Sequence, residues 1–149
     1  MKRFTFFIAL FFLVQLAFSQ QNTTVDCSAG PVSTTFCYDT GQDNSFTFTS
    51  NDGTPLNLTI DEGQVETNWD ELEIRDSDGT VLYNGYGNGG NIAGFSFQSS
   101  GETITLEVVE DVSISCVSSG YTPITFNVSC ATCVNPQVDY EVVSDCLNA

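Results

Sequence analysis

From Ser45 to Ser129 the chain alternates apolar and polar residues in short runs. Phe46 and Phe48 alternate with Ser45, Thr47 and Thr49; Leu56, Leu58 and Ile60 with Asn57 and Thr59; Leu72 and Ile74 with Glu71, Glu73 and Arg75. The same period of two returns at Phe95 and Phe97, at Ile104, Leu106 and Val108, and at Ile124, Phe126 and Val128. Successive side chains of a strand point to opposite faces, so each run predicts a strand with one buried and one solvated side. Turn chemistry separates the runs at Asn51-Asp52-Gly53, Asp61-Glu62-Gly63, Ser77-Asp78-Gly79, Asn88-Gly89-Gly90, Ser99-Ser100-Gly101 and Ser118-Ser119-Gly120. Glycine accepts positive φ there, and Asx side chains bond their own backbone. No segment after residue 20 keeps a helical period over two turns. Strands at this spacing over roughly 110 residues predict an all-β, two-sheet antiparallel sandwich around one core.

The first residues have a different pattern. Lys2 and Arg3 precede an apolar run from Phe4 to Val14, and Ala17-Phe18-Ser19 supplies small residues, the composition of a secretory signal cleaved between Ser19 and Gln20. The run is about half of the roughly 20 residues that a membrane-spanning helix needs, so no membrane insertion is expected after cleavage. Three segments follow: a signal peptide over 1–19, the sandwich over 20–131, and over 132–149 a linker with the first strand of a further, truncated domain. A lone strand buries no face, and the alternative is that the last segment packs back on the sandwich.

Export changes the charge balance. The mature chain keeps one base, Arg75, against all 19 acidic residues, a surface that repels phosphate backbones and anionic membranes. Nucleic acid is therefore excluded as a partner. Six cysteines, Cys27, Cys37, Cys116, Cys130, Cys133 and Cys146, lie in the exported part, where an even number predicts a disulfide framework. Fifteen pairings are open; proximity along the chain favours Cys27 with Cys37, Cys116 with Cys130, and Cys133 with Cys146. Cys130-Ala131-Thr132-Cys133 has the spacing of a redox or zinc motif, but the chain has no second pair, no histidine and no βαβ pattern around it. The mature chain also lacks histidine and lysine, which leaves no familiar base for a serine or cysteine nucleophile. The chain is read as no enzyme.

The stretch from Asn68 to Gly79, Asn-Trp-Asp-Glu-Leu-Glu-Ile-Arg-Asp-Ser-Asp-Gly, resembles the central signature of CUB domains. Further points of likeness are the strand Ile104 to Val109 running into Glu110-Asp111, and the closing strand from Gly120-Tyr121 to Val128. The chain is similar to CUB-like modules of large secreted Bacteroidetes proteins, which often stand beside fibronectin-type repeats; the Cys133 to Cys146 segment is similar to the opening of such a repeat. Asn68 stands where family members commonly carry a cysteine, so the bridge pattern of animal members does not transfer. The resemblance implies a CUB-like jelly roll with calcium as a cofactor, held by Glu62, Asp70 and Asp111, with Glu66 and Glu110 as neighbours able to substitute. Calcium takes six to eight oxygen ligands, and carboxylates from separate loops supply the charged part of such a shell.

The function expected is an extracellular, non-catalytic binding or adhesion module, secreted or at the cell surface, contacting a protein or a glycan within a larger protein. The alternative is a structural spacer, or a targeting appendage of a secreted hydrolase. Trp69, Tyr83, Tyr86, Asn88 and Tyr121 are the candidate ligand-binding residues, because aromatic faces with amides and glycines suit polar ligands. Trp69 reads first as a core or edge aromatic, with a stacking platform as the alternative, and the loop from Tyr83 to Gly90 reads equally as a mobile connector.

Overall fold

A computed structural model describes residues 21–132. The segments expected to be a signal peptide and the first strand of a further domain, with Cys133 and Cys146, lie outside the described residues. Nine strands and one short helix follow in order: β1 (Gln21–Val25), β2 (Val32–Phe36), β3 (Ser45–Ser50), β4 (Leu56–Glu62), β5 (Glu71–Arg75), β6 (Val81–Gly85), β7 (Ser96–Gln98), β8 (Thr103–Val109), α1 (Cys116–Ser119) and β9 (Ile124–Cys130). One sheet has the order β1-β3-β8-β5-β6 and the other β2-β9-β4-β7. Every pairing is antiparallel except β1 with β3.

The alternating residues do what their period requires. Phe46, Phe48, Ile104, Leu106, Leu72 and Ile74 point inward from the first sheet and meet Leu56, Leu58, Ile60, Phe126 and Val128 from the second, all buried. Each such burial contributes roughly 1.5–3 kcal/mol. Phe126 is the centre of the contact: its ring lies 5.8 Å from Phe46 and 5.6 Å from Phe48, both edge-on. Tyr83 closes one side of the sandwich against Phe95 and Phe97, at 5.1 and 5.6 Å between ring centroids.

The cysteines pair differently from the expectation. The bonds are Cys27–Cys130 and Cys37–Cys116, with Cα atoms 5.3 and 5.2 Å apart. Chain proximity fails here because a strand carries its two ends apart. β2 stands between Cys27 and Cys37, and β9 between Cys116 and Cys130; at about 3.3 Å per residue these runs separate their flanks by roughly 17 and 23 Å, far beyond the 4.4–6.8 Å that a disulfide spans. Folding instead lays the exit of β1 beside the end of β9, and the exit of β2 beside α1.

Candidate metal centre

β5 and β8 pair with Glu71 opposite Val109. That register brings the residues just outside the two strands, Asp70 before β5 and Asp111 after β8, to the same end of the sheet. The Asp111 backbone N–H donates to Asp70 Oδ1 at 2.9 Å, and the Tyr38 hydroxyl donates to Asp70 Oδ2 at 2.6 Å. Asp70 is completely buried, and each of its oxygens has a donor and keeps a second lone pair.

Glu66 is delivered by the turn that follows β4. Its carbonyl accepts from the Trp69 and Asp70 N–H groups at 3.4 and 3.1 Å, and its own N–H donates to the Tyr38 hydroxyl at 3.1 Å. The turn closes through Asn68 at φ 70°, a left-handed conformation that asparagine tolerates better than most residues. Val65 anchors it from behind by donating to the Gly90 carbonyl at 3.0 Å. Gly90 has positive φ, and a Cβ there would lie 2.5 Å from the Val65 carbonyl oxygen, so the position admits glycine alone.

Glu66, Asp70 and Asp111 each place a carboxylate oxygen within 4.8 Å of the other two. Asp111 Oδ1 is held by the Ser113 hydroxyl and N–H at 2.7 and 2.8 Å, and these bonds keep its carboxyl below its ordinary pKa. Glu66 is shifted the other way: desolvation, then the charges of Asp70 and Asp111, raise its pKa. Its Oε2 is buried and has no hydrogen-bond partner among the described residues. Burial first, and the bond to Asp70 second, push the Tyr38 phenol far above its ordinary pKa, so it is a fixed donor. Three carboxylates with one orphaned oxygen form an all-oxygen donor set of the kind hard divalent cations take.

Of the expected ligands, Asp70 and Asp111 come together and Glu62 does not. Glu62 lies at the end of β4 beyond a bulge and accepts from Thr125 Oγ1 at 3.3 Å; pairing with β9 holds it on the strand, and Glu66, one turn later, takes its place. Glu110 accepts from the Gly41 N–H at 2.9 Å and stays outside the trio. Tyr38 escaped the sequence reading, since nothing in Phe36-Cys37-Tyr38-Asp39 marks a phenol that supports two acidic residues. A second group, Cys27, Asp52 and Cys130, offers no thiolate, because both sulfurs are in one disulfide.

The aromatic rim is only partly exposed. Tyr83, Tyr86 and Tyr121 are half-buried and pack against the core, so their rings are partly spent on the fold, and the Tyr83 hydroxyl accepts from Gly87 N–H at 2.9 Å. The stretch read as a loop from Tyr83 begins inside β6 and continues as a tight turn through the Asn88–Asn91 bridge. Asn88 is exposed, and Trp69, 65% exposed, stands beside the carboxylates.

No family profile and no curated protein matches the sequence. Solved structures do match in shape. The second CUB domain of MASP-1 bound to Ca2+ superposes with a TM-score of 0.53 at 14% identity, covering 74% of this chain and 99% of that one. The full extracellular region of zebrafish Gpr126/Adgrg6 superposes with a TM-score of 0.50 at 12% identity, over 76% of this chain and 15% of that one. At these identities the likeness is one of fold, and the fold is a CUB-like β-sandwich carrying two disulfides.

Proposed function

We propose that this chain is a calcium-stabilised, non-catalytic binding module of a secreted or cell-surface protein, contacting a protein or a glycan. The observation that carries the reading is Glu66, whose Oε2 is buried with no hydrogen-bond partner among the described residues and whose carboxylate has an oxygen within 4.8 Å of those of Asp70 and Asp111. A desolvated carboxylate beside two others is costly, and a cation removes that cost. Glu66, Asp70 and Asp111 would hold the ion, with Tyr38 fixing Asp70 from behind. Further support comes from the fold's likeness to a domain solved with Ca2+, from the two disulfides, and from exposed Trp69 next to the site.

A cation that binds only the folded state stabilises it by about 2.7 kcal/mol at a hundredfold excess over Kd. The melting temperature is expected to rise with millimolar calcium, fall with chelator, and respond far less to magnesium, whose octahedral shell suits a three-carboxylate loop site poorly. Glu66→Gln and Asp111→Asn should each erase most of that response, and Glu66→Gln should melt no lower than wild type in chelator because it also relieves repulsion. Identical melting of wild type and both variants with and without calcium would falsify the metal reading.

A further inference from the structure

The two disulfides sit in different electrostatic surroundings. Cys27 follows β1 and Cys130 ends β9, and their sulfurs meet beside the turn Asn51-Asp52-Gly53. Asp52 Oδ1 lies 3.1 Å from Cys27 Sγ. A bridged sulfur has no proton to donate, so this contact sets a carboxylate against the disulfide itself. An oxygen of Asp52 and both sulfurs lie within 4.8 Å of one another, whereas Cys37 and Cys116 form no such group with an acidic side chain among the described residues. Cys27 and Cys130 are half-buried and Asp26 and Asp52 exposed, so a small reagent approaching these sulfurs passes the carboxylates.

Hydrogen bonds fix the two acids in place. Asp52 Oδ1 also accepts from the Thr54 N–H at 2.9 Å. Asp26 Oδ1 accepts from the Ser28 N–H and hydroxyl at 2.9 and 2.7 Å and from Asn51 Nδ2 at 3.1 Å, and Asn51 Oδ1 accepts from the Cys27 N–H at 3.1 Å. The bonds from Ser28 to Asp26 and from Thr54 to Asp52 hold both carboxyls below their ordinary pKa, although the Asp26 charge opposes ionisation of Asp52. Both are therefore charged at neutral pH. Arg75, the one basic side chain among the described residues, is paired with Glu73 on β5, and it offsets neither.

A disulfide opens when a thiolate attacks one sulfur: the S–S bond breaks and the other sulfur leaves as a thiolate. A second thiolate then attacks the mixed disulfide, so the bridge is reduced by two electrons and the reagent leaves as its own disulfide. Near a protein surface, repulsion between two like charges about 4 Å apart is enough to slow such an attack tenfold or more. We infer that Asp26 and Asp52 make Cys27–Cys130 a charge-guarded bridge, which exchanges with neutral and cationic thiols and turns away anionic ones. The guard shares no residue with the carboxylates of the cation site and does not depend on calcium.

The test reduces the oxidised, full exported chain with mercaptoacetate, an anionic reagent, and with cysteamine, a cationic one. Thiols are trapped by alkylation at early times, and peptide mapping by mass gives the opening rate of each bridge. Each rate is divided by that of the same reagent at the same pH on a neutral model disulfide, which removes the reagents' own differences in thiolate fraction and nucleophilicity. The preference for cysteamine is expected to be about tenfold greater at Cys27–Cys130 than at Cys37–Cys116, a comparison within wild type that needs no variant. In Asp52→Asn the mercaptoacetate rate at Cys27–Cys130 should rise about tenfold and the cysteamine rate change by less than about threefold. Equal preference at both bridges overturns the inference and assigns the effect to the net charge of the whole surface. Equal acceleration of both reagents in Asp52→Asn also overturns it, as the mark of a loosened turn, and so does a preference that survives that substitution undiminished.

Discussion

Tyr38 serves two acidic residues with one oxygen: it donates to Asp70 and accepts from the backbone of Glu66. Tyr38→Phe leaves a buried carboxylate oxygen and a buried N–H each short of a partner, a loss of about 1–3 kcal/mol in urea denaturation, together with a weaker melting response to calcium. The opposite pKa shifts of Glu66 and Asp111 determine how metal-free stability varies with pH. Glu66 binds a proton more readily folded than unfolded, so its penalty is present at neutral pH and is relieved as pH falls through its raised pKa. Asp111 has a lowered pKa, as do Asp26, held by the Ser28 hydroxyl, and Asp52, held by the Thr54 N–H. Their stabilisation is full above the ordinary carboxylate range near about 4 and is lost as pH drops through their folded values. In chelator the melting temperature is therefore expected to peak at mildly acidic pH, and calcium should shift the peak upward. A monotonic fall from neutral pH in chelator would contradict the shift at Glu66. In the sequence, Asp70 and Asp111 were visible through the CUB resemblance, whereas the exchange of Glu62 for Glu66 depends on how the chain turns after β4, which no spacing rule encodes.

At the scale of elements, legibility followed hydrophobic contrast. β3, β4, β5, β8 and β9 alternate apolar with polar residues and were read within a residue or two. β1, QNTTV, and β2, VSTTF, are edge strands with little apolar content, and their pairing comes from backbone ladders on one side, which carry no side-chain signature. β6 is short and runs into glycines, so turn chemistry masked it. The parallel docking of β1 on β3 and both disulfides depend on which strands meet across the sandwich, and sequence distance is a poor guide to that. The Gly90 turn shows how one element positions another. Gly90→Ala sets a Cβ against the Val65 carbonyl in a positive-φ conformation; it should cost at least about 2 kcal/mol in thermal or urea unfolding and reduce calcium affinity by displacing the turn that carries Glu66. Wild-type calcium affinity in that variant would show that the two turns are uncoupled.

Across the whole molecule, acidic residues gather on loops, with Glu71, Glu73 and Glu107 on β5 and β8 and Asp61 and Glu62 at the end of β4. The Cys27–Cys130 bond has a consequence for the chain under load. It joins residues 103 apart in sequence, close to the two ends of the sandwich. Tension applied at Gln21 and Thr132 has only β1 to peel before it reaches sulfur, and from there the force passes through a covalent link while the rest of the fold carries none. In a single-molecule pull, the oxidised protein should lengthen by only about 20 Å and the reduced protein by roughly 350 Å, at about 3.5 Å per released residue. Were it placed in a stretched chain, a module so built would act as a nearly inextensible coupling, keeping its surfaces folded while force is transmitted past them.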